Sequence, residues 1–252
     1  MKTSTIVTIV LVILILYIII KWWTSKVVQL CYKSRTNVAI QPIKGSKLGK
    51  EQGANFTYSV WIYLSSWNNT EKRKYILIRG SKPDSDDPDP TTNHNFSLEM
   101  YLGKYKNTLT TEIKTHPLDD GDTKTKATCN VEEIPIQKWV NIIVSVYGKT
   151  LDTYINGKLE RTCILDNVAQ VNPKEDLYLA PMAPQSAGGQ AKPTWHGYIA
   201  NARYYMYYVN PQEAWNIYKE GYSPGSLGGL FDKYKIKFSF LVDDQVKSSF
   251  MI

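Results

Sequence analysis

The chain of 252 residues has room for one large sandwich or two small domains, and with 43% hydrophobic and 21% charged residues its composition is that of a folded chain. Its net charge of +7 is spread along the sequence without the basic run that a nucleic-acid arm needs, which argues against nucleic acid as a partner. Three cysteines are too few for a disulfide scaffold.

Residues 5–20 are aliphatic or Tyr apart from Thr5 and Thr8, and with Trp22 and Trp23 they approach the ~20 apolar residues that span hydrocarbon. Lys2 and Lys21 bracket the stretch, and the Trp pair sits where an interfacial belt belongs. Bulky residues, not an Ala-x-Ala site, follow it, so residues 1–23 read as an uncleaved single-pass anchor in a lipid membrane. Lys21, Lys26, Lys33 and Arg35 outnumber Lys2 and the terminal amine, which predicts the domain on the cytosolic side. The sequons at Asn55, Asn68 and Asn95 are then chance matches, and would carry glycans only on a lumenal domain.

Residues 24–53 lack sustained periodicity and contain Pro42, Gly45, Gly49 and Gly53, the signals of a linker. From Asn55 onward short alternating segments are broken by turns, which predicts an all-β antiparallel sandwich. The expected strands are 57–64, 75–79, 96–102, 108–113, 139–147, 151–155, 158–165, 177–179 and 196–208. Trp139 to Tyr147 has one wholly apolar face, and Asn156-Gly157 signals a type I′ hairpin, whose two turn positions need positive φ. One helix is expected: Asn210 caps it, Pro211 opens it, Glu213 completes a capping box and Gly221 stops it. A last strand is read at 234–242 within a C-terminal extension, 223–252.

Four blocks then resemble the laminin-G-like, concanavalin-A-like jelly-roll superfamily: Phe56-x-x-Ser59-x-Trp61-Ile62; Ile134-Pro135-x-x-Lys138-Trp139-Val140-Asn141; Leu151-Asp152-x-Tyr154-Ile155-Asn156-Gly157-Lys158; and Gly197-Tyr198-Ile199-x-Asn201-x-Arg203. The resemblance covers about residues 54–222 and implies a jelly-roll sandwich with one short helix. The ending from Asn210-Pro211 to Ser223-Pro224 is similar to versions of the domain in large cytoplasmic DNA viruses, some of which follow a membrane anchor. That implies a minor capsid or virion membrane protein linking an internal membrane to capsid proteins. A membrane-anchored carbohydrate-binding, lectin-like protein is the alternative.

Glycoside hydrolysis needs two carboxylates about 5 to 10 Å apart. Glu132 and Glu133 are adjacent and would point oppositely on a strand, Glu99 and Glu112 stand alone, and the superfamily's Glu-x-Asp-x-x-Glu pattern is absent, so no enzyme and no catalytic residue is expected. Asp84, Asp86, Asp87 and Asp89 read as a stiff solvated loop or as oxygen ligands for Ca²⁺, and no other cofactor is implied. His94, His116 and His196 lack zinc spacing. Cys129 and Cys163 could meet across neighbouring strands, but the cytosolic reading favours free thiols there. In the run Tyr204 to Tyr208, alternation turns Tyr205 and Tyr207 away from their neighbours, which makes them candidates for an interaction surface unless the helix covers them through Trp215 and Tyr218.

Overall fold

The structure, a computed structural model, describes residues 11–17, 26–48, 55–67, 72–80, 95–119, 125–183, 192–223, 237–242 and 245–251. Of the expected anchor, residues 11–17 form a helix (α1) whose seven side chains are all exposed. Among the described residues no helix is long and apolar enough to cross a membrane. Lys21, Trp22 and Trp23 lie outside the described residues, as do Asn68, His94 and the acidic loop with Asp84, Asp86, Asp87 and Asp89.

The strands run β1 (Val27–Arg35), β2 (Phe56–Ser66), β3 (Lys74–Gly80), β4 (Phe96–Leu102), β5 (Leu109–Lys114), β6 (Lys126–Val131), β7 (Trp139–Tyr147) and β8 (Thr150–Ile155). They continue with β9 (Lys158–Ile164), β10 (Leu177–Leu179), β11 (Met182–Ala183), β12 (Lys192–Pro193) and β13 (His196–Tyr205), then helix α2 (Pro211–Lys219), β14 (Lys237–Val242) and β15 (Gln245–Met251). A six-stranded antiparallel sheet, β1-β13-β2-β7-β8-β9, packs on a five-stranded one, β10-β3-β4-β5-β6. The alternation that marks the strands also builds the core. Tyr58, Val60, Ile62 and Leu64 of β2 meet Val140, Ile142, Val144 and Val146 of β7 on one side and Leu98, Met100 and Leu102 of β4 on the other. Trp195 completes it, donating its indole N–H to the Tyr75 carbonyl at 2.8 Å.

Residues 27–35, read above as linker, form the edge strand β1 along β13. A bulge between Gln29 and Cys31 breaks the alternation, so Val28, Leu30 and Cys31 all reach the core and the period-two signal is lost from the sequence. The Asn156-Gly157 turn has φ of +52° and +76°, as a type I′ turn requires, and Asn156 is bonded to Asn141 through both its backbone N–H and its side-chain oxygen. The capping box also forms: Asn210 Oδ1 accepts from Glu213 N at 2.9 Å, and Glu213 Oε2 accepts from Asn210 N at 3.1 Å. The strand read at 234–242 is described from Lys237 as β14, and it is not the last: it pairs with β15.

Cys129 and Cys163 are joined in a disulfide, Cα–Cα 5.9 Å, which corrects the expectation of free thiols. Its physical basis is topological. β6 and β9 are the edge strands of opposite sheets on the same flank, and the bond clips that flank shut.

Candidate functional site

Strand register lays two rows of side chains across the outward face of the six-stranded sheet. Arg35, Tyr198, Tyr63 and Trp139 are direct partners across β1, β13, β2 and β7; two residues along, so are Lys33, Ala200, Trp61 and Asn141. Directly opposed residues on an antiparallel sheet share a face at contact distance, so the rows become a continuous aromatic surface. Helix α2 lies beside them because Ala214 and Ile217 bury against Ile143, Tyr154 and Tyr205.

Gly157 permits that close approach. A Cβ there would stand 2.8 Å from the Tyr218 Cβ and 3.1 Å from the Trp215 Cα. At the other end of the helix Gly221, with φ +80°, turns the chain so that Tyr222 lies flat on Trp139, ring centroids 4.5 Å apart and planes 5° from parallel. The outcome is an unbroken strip: Trp215 touches Tyr218 at 5.4 Å, Tyr218 stacks on Trp61 at 5.5 Å, and Trp61 meets Tyr222 at 6.1 Å. From Trp139 it continues through Tyr63 at 5.6 Å to Tyr198 at 6.2 Å.

One end of the strip opens into a cleft of about 580 Å³ between α2, the β8–β9 turn and the loop after β6. Trp215, 39% exposed, and Tyr218 form its aromatic wall, while Glu132, Glu133, Asn156, Lys158 and Glu160 supply the polar groups. Glu132 and Glu133 lie in a loop, so the opposition expected of strand neighbours does not apply and both line the cleft. Their backbone is fixed. Glu133 takes φ +59°, and the buried Ile134 beside it exchanges bonds with Asn107 at 2.9 and 2.8 Å.

Of the two readings of the tyrosine pair the structure has the packed one, with helix cover through Ala214 and Ile217. Tyr205 is buried, at 4% exposure, beneath α2, and Tyr207 is half-buried edge-on to it at 5.7 Å. Burial pushes the Tyr205 phenol up to about 12, with the nearby Arg203 guanidinium acting in the opposite sense. Tyr205 therefore serves packing, and the exposed aromatic surface lies around Trp215 and Tyr222.

Glu99 and Glu112, read as isolated, are register partners on β4 and β5. Arg73 Nη1 lies 3.7 Å from a carboxylate oxygen of each, and Tyr101 donates its hydroxyl to Glu112 at 2.6 Å. A guanidinium lodged between the two carboxylates occupies the space a scissile bond would need, and Glu99 is only 1% exposed. The cluster therefore reads as a structural ion network.

A second cleft, about 750 Å³, is lined by Gly80 and Asn95, the two ends from which the acidic loop departs, together with Lys44, Glu175, Asp176 and Tyr178. The Lys44 ammonium, donating to Asp176 at 2.7 Å, holds that carboxyl below its ordinary range, whereas burial raises Glu175. Among the described residues no group of three or more His, Cys, Asp or Glu could hold a metal ion.

Comparison with known proteins adds a family. The model of the laminin-G-type family described as the concanavalin A-like lectin/glucanases superfamily matches residues 40–214. No curated protein matches the chain. Among solved structures, one of botulinum neurotoxin type C, whose passage into cells depends on interaction with two ganglioside molecules, is 14% identical with a TM-score of 0.45 and covers 66% of this chain. The binding domain of botulinum neurotoxin DC, solved in complex with rat synaptotagmin II, is 13% identical with a TM-score of 0.47 and covers 68%. This chain spans 36% and 37% of those two chains, and likeness at this level decides nothing about a ligand.

Proposed function

The chain belongs to the concanavalin A-like lectin/glucanases superfamily, and from that premise we propose that it is a non-enzymatic recognition module, held at a membrane by residues 1–23, that binds carbohydrate in the cleft beside α2. The observation that carries this reading is the cleft wall. An exposed Trp215 backed by Tyr218 offers a flat apolar surface to the C–H face of a sugar ring, and Glu132, Glu133, Glu160, Asn156 and Lys158 surround it with acceptors and donors for hydroxyls. Function in such sandwiches lives in loops grafted on the fold, and this cleft is made by a loop, a turn and a helix.

The Cys129–Cys163 bond supports a domain that matures on the oxidising side of a membrane, since disulfides persist there, and Asn55 and Asn95 are both exposed at the starts of strands. The Arg73 guanidinium held between Glu99 and Glu112 keeps that pair out of a hydrolytic role.

Titration of a glycan panel against the full chain and its Trp215→Ala variant tests the proposal. Loss of the aromatic wall is expected to weaken a bound glycan about tenfold, and equal affinity in the variant would refute the site. Release of reducing sugar from any bound glycan would refute the non-enzymatic reading.

A second reading, in which the anchored domain ties an internal virion membrane to capsid proteins, is favoured by one observation. The sheet edge β9 exposes Leu159 and Ile164, the latter 83% exposed, on a strand whose outer side carries no further strand among the described residues. Protease accessibility of the full chain in sealed membranes separates the two: protection with glycans at Asn55 or Asn95 favours the lectin, accessible unglycosylated protein the scaffold.

A further inference from the structure

The cleft beside α2 carries a charge opposite to that of the chain. Glu132, Glu133 and Glu160 line it against one cation, Lys158, a formal −2 in a protein of net charge +7. All four residues are exposed, and among the described residues none of them is in an ion pair. A concave site lined by one sign of charge concentrates ligands of the other. Its wall adds to the same preference, because the faces of Trp215 and Tyr218 attract cations as well as sugar C–H groups.

The arrangement selects among cations. Among the described residues no group of three or more His, Cys, Asp or Glu could hold a metal ion, so these carboxylates stand too far apart to close on one. They come from separate elements, Glu132 and Glu133 from the loop after β6 and Glu160 from β9. The cleft volume of about 580 Å³ lies within the roughly 300–1,000 Å³ of small-molecule sites. Carboxylates dispersed around an aromatic wall match a positive charge carried on a saturated ring, with the Asn156 amide and Lys158 left for its hydroxyls.

We propose, resting on the carbohydrate reading of this cleft, that its ligand is an amino sugar with a free amine, a hexosamine unit whose ring lies on Trp215 and whose ammonium faces Glu132, Glu133 and Glu160. An N-acetylated sugar keeps the stacking and loses the charge, while a sugar acid meets like charge. The probes are glucosamine tetrasaccharide and N-acetylglucosamine tetrasaccharide, which differ only at nitrogen. Each is titrated by calorimetry into the full chain in maltoside micelles at about pH 6, where amines are protonated and ordinary carboxyls ionised.

The amine form is expected to bind about fivefold more tightly or better, and added salt to narrow the gap. Replacing the carboxylates together, Glu132→Gln, Glu133→Gln and Glu160→Gln, is expected to bring the two sugars within about twofold of each other while the acetylated one binds as before. Lys158→Gln, which removes the opposing cation, should widen the gap. Equal affinity of the parent chain for both sugars, a gap that survives the triple replacement, or binding of neither overturns the proposal. Trp215→Ala separates its failure from that of the carbohydrate site. Acetylated sugar bound without preference for the amine, and lost in that variant, leaves the site standing; either sugar bound unchanged in the variant refutes the site. An oligolysine peptide that binds more tightly than the amine sugar and displaces it reassigns the cleft to a basic protein segment and overturns the proposal.

Discussion

Replacing Cys129 and Cys163 together by Ala is the perturbation whose magnitude follows most directly from the fold. The bond joins residues 34 apart in sequence. For a loop of that length the chain-entropy account gives about 4 kcal/mol of stabilisation, between the ~3 kcal/mol of a 15-residue loop and the ~4.7 kcal/mol of a 100-residue one. In a domain of this size each kcal/mol moves Tm by about 2–4 °C, so a fall on the order of 10 °C is expected. Either single Ala variant should show nearly the whole loss, because one partner suffices to break the clip. Cys31, half-buried and apart from the bond, is the control: its replacement leaves the effect of reductant unchanged. Urea denaturation of the parent and variants, with and without reductant, measures the difference. A double variant within 1 kcal/mol of the parent, or peptide mapping that finds both cysteines alkylated as free thiols, would refute the reasoning.

Gly157→Ala is expected to cost about 2–5 kcal/mol, from the left-handed φ of +76° and from the contact its Cβ would make with Tyr218. An unchanged urea midpoint would mean that α2 does not rest on the turn. Burial lowers the Lys74 ammonium to about 8, against ~10.4 for an ordinary lysine, so between those values the unfolded chain holds more protons. Stability should therefore rise with pH from about 8 to about 10.4 and be level below 8, where both states hold the proton; the same rise in Lys74→Met would assign it elsewhere. Deleting residues 26–35 removes Val28, Leu30 and Cys31 from the core margin and should lower stability by about 3 kcal/mol or more, where a linker would give no change.

What could be read beforehand was local. Asn156-Gly157 announced its turn because two adjacent positions required positive φ, and Asn210 with Glu213 announced α2 because a capping box lies within one turn. The alternation of β2 and β7 revealed a sandwich core since burial on one face leaves its mark every second residue. What was missed depends on register or on which strands become edges. Nothing near Glu99 says that Glu112 will stand opposite it, and nothing near Trp139 says that Tyr63, Tyr198 and Arg35 will fall into line beside it. The Cys129–Cys163 bond hangs on both strands being terminal in their sheets, a property of the assembled topology. β1 escaped notice for a different reason: its bulge erased the one periodic signal an edge strand has.

β1 opens at Val27 and is integral to the sandwich from that point. On the anchored reading only residues 24–26 lie between the bilayer segment and folded structure, and three residues can extend about 10 Å at most. Such a leash leaves no freedom to sweep a volume, as a long stalk would. An anchored domain would then be a low fixture whose radius of action is roughly its own width, restricted to tilting and spinning about one point of attachment. On that reading whatever it meets would have to come down to the membrane to be met, and many copies spread over one surface would act as a carpet of sites at a single height.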